Sequence, residues 1–277
     1  MHRMVFDGCL YGLQLLDTRY AVRYLLKKLG IEVTEPTRDI CCGRPSSFIG
    51  DMAGKDKLIN ISVSGWGRTQ GSVDEVLVSC PGCGTALMDS ADVARRGIEV
   101  THFIELLPEK MEFLRKSGLG EVNARVTVHF PCHLSRGMGV DNAVMVDVLN
   151  AIRGLEIIEM EEAGSCCGGS GGLRASDPAV AKVLRYRKIC NALATKADLI
   201  VTACPRCEIS LSEALAEVAA DEDADPALRK TAANMKVVSL AFLVAFGMDD
   251  FTKNLERVLT EAKERLAARK AAEEGMI

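Results

Sequence analysis

One cysteine pattern, used twice, dominates this chain. The first copy is Cys9, the pair Cys41-Cys42 followed by Gly43, then Cys80 and Cys83 in Cys-Pro-Gly-Cys. The second is Cys132, the pair Cys166-Cys167 followed by Gly168, then Cys204 and Cys207 in Cys-Pro-Arg-Cys. Corresponding anchors lie 123 (Cys9 to Cys132), 125 (Cys41 to Cys166) and 124 (Cys80 to Cys204) residues apart. Spacing that regular marks a duplicated module, so the fold has to be built from two like units. Adjacent cysteines and Cys-x-x-Cys pairs suit convergence on metal better than bridging across a large domain. Tetrahedral zinc takes four ligands, and so does an ordinary cubane cluster. Five thiols per copy therefore argue for something larger than one metal ion.

Composition narrows the setting. With 277 residues, 48% of them hydrophobic, the chain can bury one large core or two small ones, and the repeat favours two. A formal charge of −4 offers no basic field for nucleic acid. The longest apolar run, Val237 to Met248, is too short to cross a bilayer and includes Ser239 and Gly247. The N-terminus lacks a signal-peptide layout, and a long, apolar chain differs from short secreted disulfide scaffolds. The expectation is a reduced, cytoplasmic metalloprotein with no transmembrane segment.

The periodicity reads as β-α-β logic, twice. Met4-Val5-Phe6 precedes Cys9, and Val126-Thr127-Val128 precedes Cys132. Helix-period stretches follow, with Leu15, Val22, Leu25, Leu26 and Leu29 closed by Gly30, and Val144, Val148, Leu149 and Ile152 closed by Gly154. Strand-like segments at Ile31 to Val33 and Leu155 to Ile158 lead toward the paired cysteines. A helix is expected after each pair, clearest from Ala179 to Leu193. Glu75 to Val78 and Asp198 to Val201 then run into the Cys-x-x-Cys motifs, and the last strand cores are Val100 and Val237 to Leu240. This predicts an α/β fold of two tandem, pseudo-symmetric Rossmann-like lobes with parallel sheets, 1–122 and 123–248, plus a C-terminal helix in 249–277. The cysteines fall at the carboxyl ends of strands, the edge where open α/β sheets bind ligands. Gly43, Gly168 and Gly169 let backbone approach a bulky inorganic core.

The pattern Cys, then Cys-Cys-Gly, then Cys-x-x-Cys resembles the cysteine-rich CCG domain, and two copies in one chain of this size resemble the B subunit of heterodisulfide reductase. One departure is small: 37 residues separate Cys42 from Cys80, against 36 between Cys167 and Cys204. The resemblance implies two noncubane [4Fe-4S] clusters. Cys9, Cys41, Cys42, Cys80 and Cys83 would hold one, and Cys132, Cys166, Cys167, Cys204 and Cys207 the other. It also implies reduction of a disulfide, in the family that of coenzyme M and coenzyme B, to two thiols. The implied partners are a ferredoxin-like iron-sulfur C subunit and a flavin-containing A subunit. An alternative within the same family is a non-catalytic electron relay or quinone-linked subunit of another redox complex, with zinc in one motif.

Outside the motifs, Cys190 reads as a buried structural thiol. His129 and His133 flank Cys132 in Val-His-Phe-Pro-Cys-His-Leu. His133 is the better candidate for a proton donor to a departing thiolate, and His129 for support of the site or strand capping. Arg44, Arg136 and Arg174, with Tyr11, lie shortly after cysteines, where cations could meet an anionic substrate. From Asp249 to Ala272 a helical stripe of Phe251, Leu255, Val258, Leu259, Ala262 and Leu266 could dock on its own domain, a partner subunit or, least plausibly given its mixed charges, a membrane. Asp221-Glu222-Asp223 reads as a solvated loop.

Overall fold

Among the described residues seven short runs become strands, and all pair in parallel, as expected where crossover helices connect them. A computed structural model of the chain describes residues 1–36, 41–66, 73–255, 259–260 and 264. Strands β1 (Arg3–Phe6), β2 (Glu75–Val78) and β3 (Glu99–His102) form one sheet in the order β1-β2-β3. Strands β4 (Ala124–Val128), β5 (Leu155–Ile157), β6 (Leu199–Thr202) and β7 (Lys236–Ser239) form the other, in the order β5-β4-β6-β7. The chain is thus a two-lobed α/β molecule with two parallel sheets.

One expected strand is reduced to a single residue. Ile31 to Val33 has no strand structure, and only Thr34 pairs beside β1, through Val5 N–H to its carbonyl at 3.1 Å and its own N–H to the Arg3 carbonyl at 2.8 Å. The cause is local. The Ile31 N–H already closes the helix Leu16–Lys28 by bonding to the Leu26 carbonyl, and Pro36 has no N–H to give. With that residue in the place of β5, both sheets follow one connectivity, in which the chain reverses direction across the sheet between β1 and β2 and between β4 and β6. That reversal is where open α/β sheets form a ligand crevice.

Helices follow each Cys-Cys-Gly as expected, at Arg44–Phe48 and Met52–Trp66 in the first lobe and at Gly171–Ser176 and Pro178–Ala194 in the second. The Cys-x-x-Cys prolines open the helices Pro81–Met88 and Pro205–Ala220, where their missing N–H costs nothing. The run expected as a strand through Leu240 ends at Ser239. Its hydroxyl accepts the Phe242 N–H at 3.0 Å and caps the helix Leu240–Phe246.

The lobes share a core. Val5, Leu25, Leu77 and Phe103 belong to the same buried cluster as Val126, Val201, Leu240 and Val244. Helix Leu240–Phe246 of the second half lies on Leu16–Lys28 of the first. Phe251 is fully buried there, stacked on Tyr20 with ring centroids 5.2 Å apart and edge-on to Tyr24 and Phe242. The start of the C-terminal segment is therefore docked on its own chain. Val258, Ala262 and Leu266 lie outside the described residues. Among the described residues, no helix is long and apolar enough to cross a membrane.

Candidate metal centre

Four of the ten motif cysteines follow strand ends directly: Cys9 after β1, Cys80 after β2, Cys132 after β4 and Cys204 after β6. The paired cysteines reach the same rim through loops whose shape depends on glycine. Gly43 and Gly168 have φ of +71° and +65°. A Cβ on Gly43 would sit 2.8 Å from the Lys55 Cα, and one on Gly168 2.3 Å from the Ala181 carbonyl. Only a residue without a side chain lets each Cys-Cys turn press onto the helix behind it.

The ten thiols form one uninterrupted run, and all are free. In the first set Cys9 meets Cys41, Cys41 meets Cys42, Cys42 meets Cys83, and Cys83 meets Cys80. In the second, Cys132 meets Cys166, Cys166 meets Cys167, Cys167 donates to Cys207 at 3.3 Å, and Cys207 meets Cys204. The sets join where Cys80 and Cys204 interact across the two lobes. Three thiols of the run, Cys41, Cys80 and Cys166, have lowered pKa values, and the other seven are raised. The middle thiols Cys41 and Cys166 are held down near 2, Cys41 by hydrogen bonds from Cys42 and Cys9, Cys166 by those from Cys132 and Cys167. Cys42 and Cys167 are pushed up to about 12 and about 11 by donating to them. Thiols gathered this closely are ones that a metal centre would deprotonate on binding.

Polar groups around this run divide unevenly. His133, whose Nδ1 is 3.6 Å from the Cys132 Sγ, feels both Cys80 and Cys166, and burial followed by Arg44 lowers its pKa. Its ring lies edge-on to Phe48 of the other lobe at 5.9 Å, and the Arg44 guanidinium lies over the Phe48 ring at 5.3 Å from its centroid. His129 is fully buried, and a ring nitrogen lies within 4.8 Å of the Cys167 and Cys207 sulfurs. Burial holds its pKa down at about 3, so the ring is neutral. Arg136 donates to the Gly164 carbonyl at 3.2 Å and Arg174 pairs with Glu213 at 2.6 Å, so both are committed to local structure. Cys190 is half-buried and apart from the run.

The first set opens to a cavity of about 300 Å³ lined by Cys9, Cys41, Cys80, Arg44 and Arg206 together with the buried Asp7. Asp7 anchors the Cys9 loop through Arg19 at 2.8 Å and Arg23 at 2.6 Å. Glu208, which the sequence reading missed, is buried beside Cys207, and one of its carboxyl oxygens has no partner. Burial, then Asp17, raises it to about 8, which keeps it protonated at neutral pH. The corresponding first-lobe residue is Gly84, where a Cβ would lie 2.3 Å from the Met138 sulfur. The signal was present in the pattern: one copy follows its last cysteine with glycine, the other with a carboxylic acid.

The family model for the CCG cysteine-rich domain matches twice, over residues 4–88 and 126–212, and each match holds one complete cysteine set. The chain belongs to the CCG cysteine-rich domain family. It is similar to the B subunit of the fumarate reductase (CoM/CoB) of Methanothermobacter marburgensis, with 33% identity over 76% of this chain and 41% of that protein. It is also similar to the D subunit of the dihydromethanophenazine:CoB–CoM heterodisulfide reductase of Methanosarcina barkeri, at 31% over 75% of this chain and 53% of the relative. A probable glycolate oxidase iron-sulfur subunit of Bacillus subtilis is 27% identical over 74% of this chain and 48% of that protein. The chain spans about half the length of these curated relatives.

Proposed function

We propose that this CCG protein is the iron-sulfur subunit of a redox complex, that each five-cysteine set holds a noncubane [4Fe-4S] cluster, and that the pair reduces a small disulfide to two thiols. The observation that carries this reading is the continuous run of ten free thiols joined at Cys80 and Cys204. Five soft donors per set fit a multinuclear iron-sulfur centre. Relatives named as heterodisulfide reductase and as fumarate reductase (CoM/CoB) subunits support the same class of chemistry.

When bound, such clusters supply electrons one at a time and a Lewis-acidic metal for thiolate sulfur. The chain's own residues do the rest. A disulfide needs two electrons, and two centres abutting at Cys80 and Cys204 place two single-electron donors within one molecule. His133, between Cys80 of one set and Cys166 of the other, is placed to hand a proton to a leaving thiolate. Arg44 and Arg206 line the cavity over the first set, where they would receive the anionic ends of the substrate in exchange for their present partners, Asp89 and the Gly169 carbonyl. Electrons would come from a ferredoxin-like C subunit and a flavin-containing A subunit, with the complex in the cytoplasm.

A second reading has its own support. His129, Cys167 and Cys207 form a compact triad, and a fourth thiol from Cys166 or Cys204 would complete a tetrahedral zinc site. The chain would then be a relay subunit with one cluster. Metal analysis after anaerobic purification separates the two. About eight iron and eight sulfide per chain match the first reading, and about four iron with one zinc match the second. Anaerobic turnover of the coenzyme M–coenzyme B disulfide with reduced viologen tests the substrate. Full loading with no turnover would overturn disulfide reduction.

A further inference from the structure

The two cysteine sets are alike, but the walls behind them are not. Three residues before the first cysteine of each copy stands Phe6 in the first lobe and His129 in the second. Phe6 is buried and meets Trp66 edge-on at 6.2 Å, so the first set is backed by aromatic carbon. His129 is equally buried, yet neither ring nitrogen makes a well-formed hydrogen bond, with only a loose contact to the Ala163 backbone. Its open nitrogen faces the sulfurs of Cys167 and Cys207.

The helices behind the paired cysteines differ in the same sense. Gly43 rests on Lys55 and Gly168 on Ala181, which aligns the two helices. Seven residues further on, the first lobe has Ser62, bonded to the Leu58 carbonyl, and the second has Lys188. Lys188 is 1% exposed and its ammonium donates to the Glu162 carbonyl; burial lowers its pKa, against the charges of Cys167, Glu162, Cys207 and Cys166. Lys55 is also buried, but its ammonium pairs with the Asp56 carboxylate at 3.5 Å.

Resting on the two-centre reading above, we infer that the centres are electronically unequal, with His129 and Lys188 making the second the stronger electron acceptor. A buried ammonium and an imidazole N–H within reach of ligand sulfur would both stabilise the extra negative charge of a reduced cluster, and they act through a dry, low-dielectric wall. The cations near the first set act less. Arg44 lines the cavity over the first set and is paired with Asp89 at 3.0 Å, and Arg19 and Arg23 are engaged by the Asp7 carboxylate. A single electron added to the loaded protein by a chemical reductant such as dithionite therefore rests on the second centre, which is reduced by one while the first stays oxidised. No proton is required.

The test is an anaerobic redox titration of the iron-loaded protein followed by electron paramagnetic resonance, with signals assigned through Cys9→Ser and Cys132→Ser variants. The second centre should be reduced first. In Lys188→Met, and separately in His129→Phe, its one-electron equilibrium should shift at least tenfold toward the oxidised form, about 59 mV. The first centre should not move. Lys188→Gln serves if the methionine variant loads poorly. Two loaded centres that titrate together, or variants that leave the second where it was, overturn the inference and leave the two-centre reading standing. A protein that loads only one cluster overturns both.

Discussion

Gly168 and His102 each turn a local constraint into a measurable consequence. At Gly168, a methyl group must enter a positive-φ turn and lie 2.3 Å from the Ala181 carbonyl, a backbone atom with no freedom to withdraw. Gly168→Ala should cost at least ~2 kcal/mol of stability, from the left-handed backbone and the clash together. Chemical denaturation measures the loss, and metal content should fall with it because Cys166 and Cys167 are displaced. His102 is buried at the end of β3, with its Nε2 3.0 Å from the Ser79 carbonyl, next to Cys80. Burial lowers its pKa from 6.5 to about 4, so between those values the unfolded chain binds a proton that the native chain refuses. Stability is full above pH ~6.5 and is lost as pH falls toward 4, at about 1.4 kcal/mol per unit. His102→Gln, which can keep a donor to Ser79, should flatten that slope in denaturation curves of the metal-free chain between pH 5 and 7. The grouping of the motif cysteines was legible because their spacing survives in sequence. The contact between Cys80 and Cys204 was not, since it depends on how the lobes meet. Nor was the approach of His129 to Cys167 and Cys207, which come from distant segments.

Elements show the same division. Strand cores β1, β2, β4 and β6 could be read from apolar runs, because a buried parallel strand has no polar face to confuse the pattern. The Ile31 to Val33 segment had the same appearance but lost its pairing to the helix closure before it and to Pro36 after it. That competition for N–H groups is invisible to hydrophobicity. The helix Leu240–Phe246 was hidden inside an apolar run, and Ser239 was the one clue to where strand gives way to helix. Ser239 also carries more than a cap, since its hydroxyl bonds the buried Thr18 hydroxyl of the other lobe at 3.0 Å. Ser239→Ala should therefore cost about 1–2 kcal/mol, the upper part arising from the orphaned Thr18 oxygen. Thr18→Val in the same background should recover part of it, because both partners are then apolar. A double-mutant cycle by urea denaturation reads the coupling directly, and additive single costs would contradict a shared bond.

At the scale of the molecule, duplication in sequence does not make two independent folding units. Residues 1–122 and 123–248 are best proposed as repeats, with 249–277 as an appendage whose first turn already belongs to the shared core. Val5 and Leu77 of one sheet lie in one buried cluster with Val126 and Val201 of the other, and Phe251 closes it against Tyr20 and Phe242. Opening either lobe alone would expose apolar surface of both, at roughly 25 cal/mol for each Å². The metal-free chain should therefore unfold in one cooperative transition, with calorimetric and van't Hoff enthalpies equal. Phe251→Ala should lower its midpoint by an amount matching about 3–5 kcal/mol while keeping a single step. Two resolved transitions would mean that the lobes meet only at their cysteines. The thiol contact at Cys80 and Cys204 would then be too weakly supported to hold two centres in register, because only a continuous core fixes the lobes' relative position when no metal bridges them.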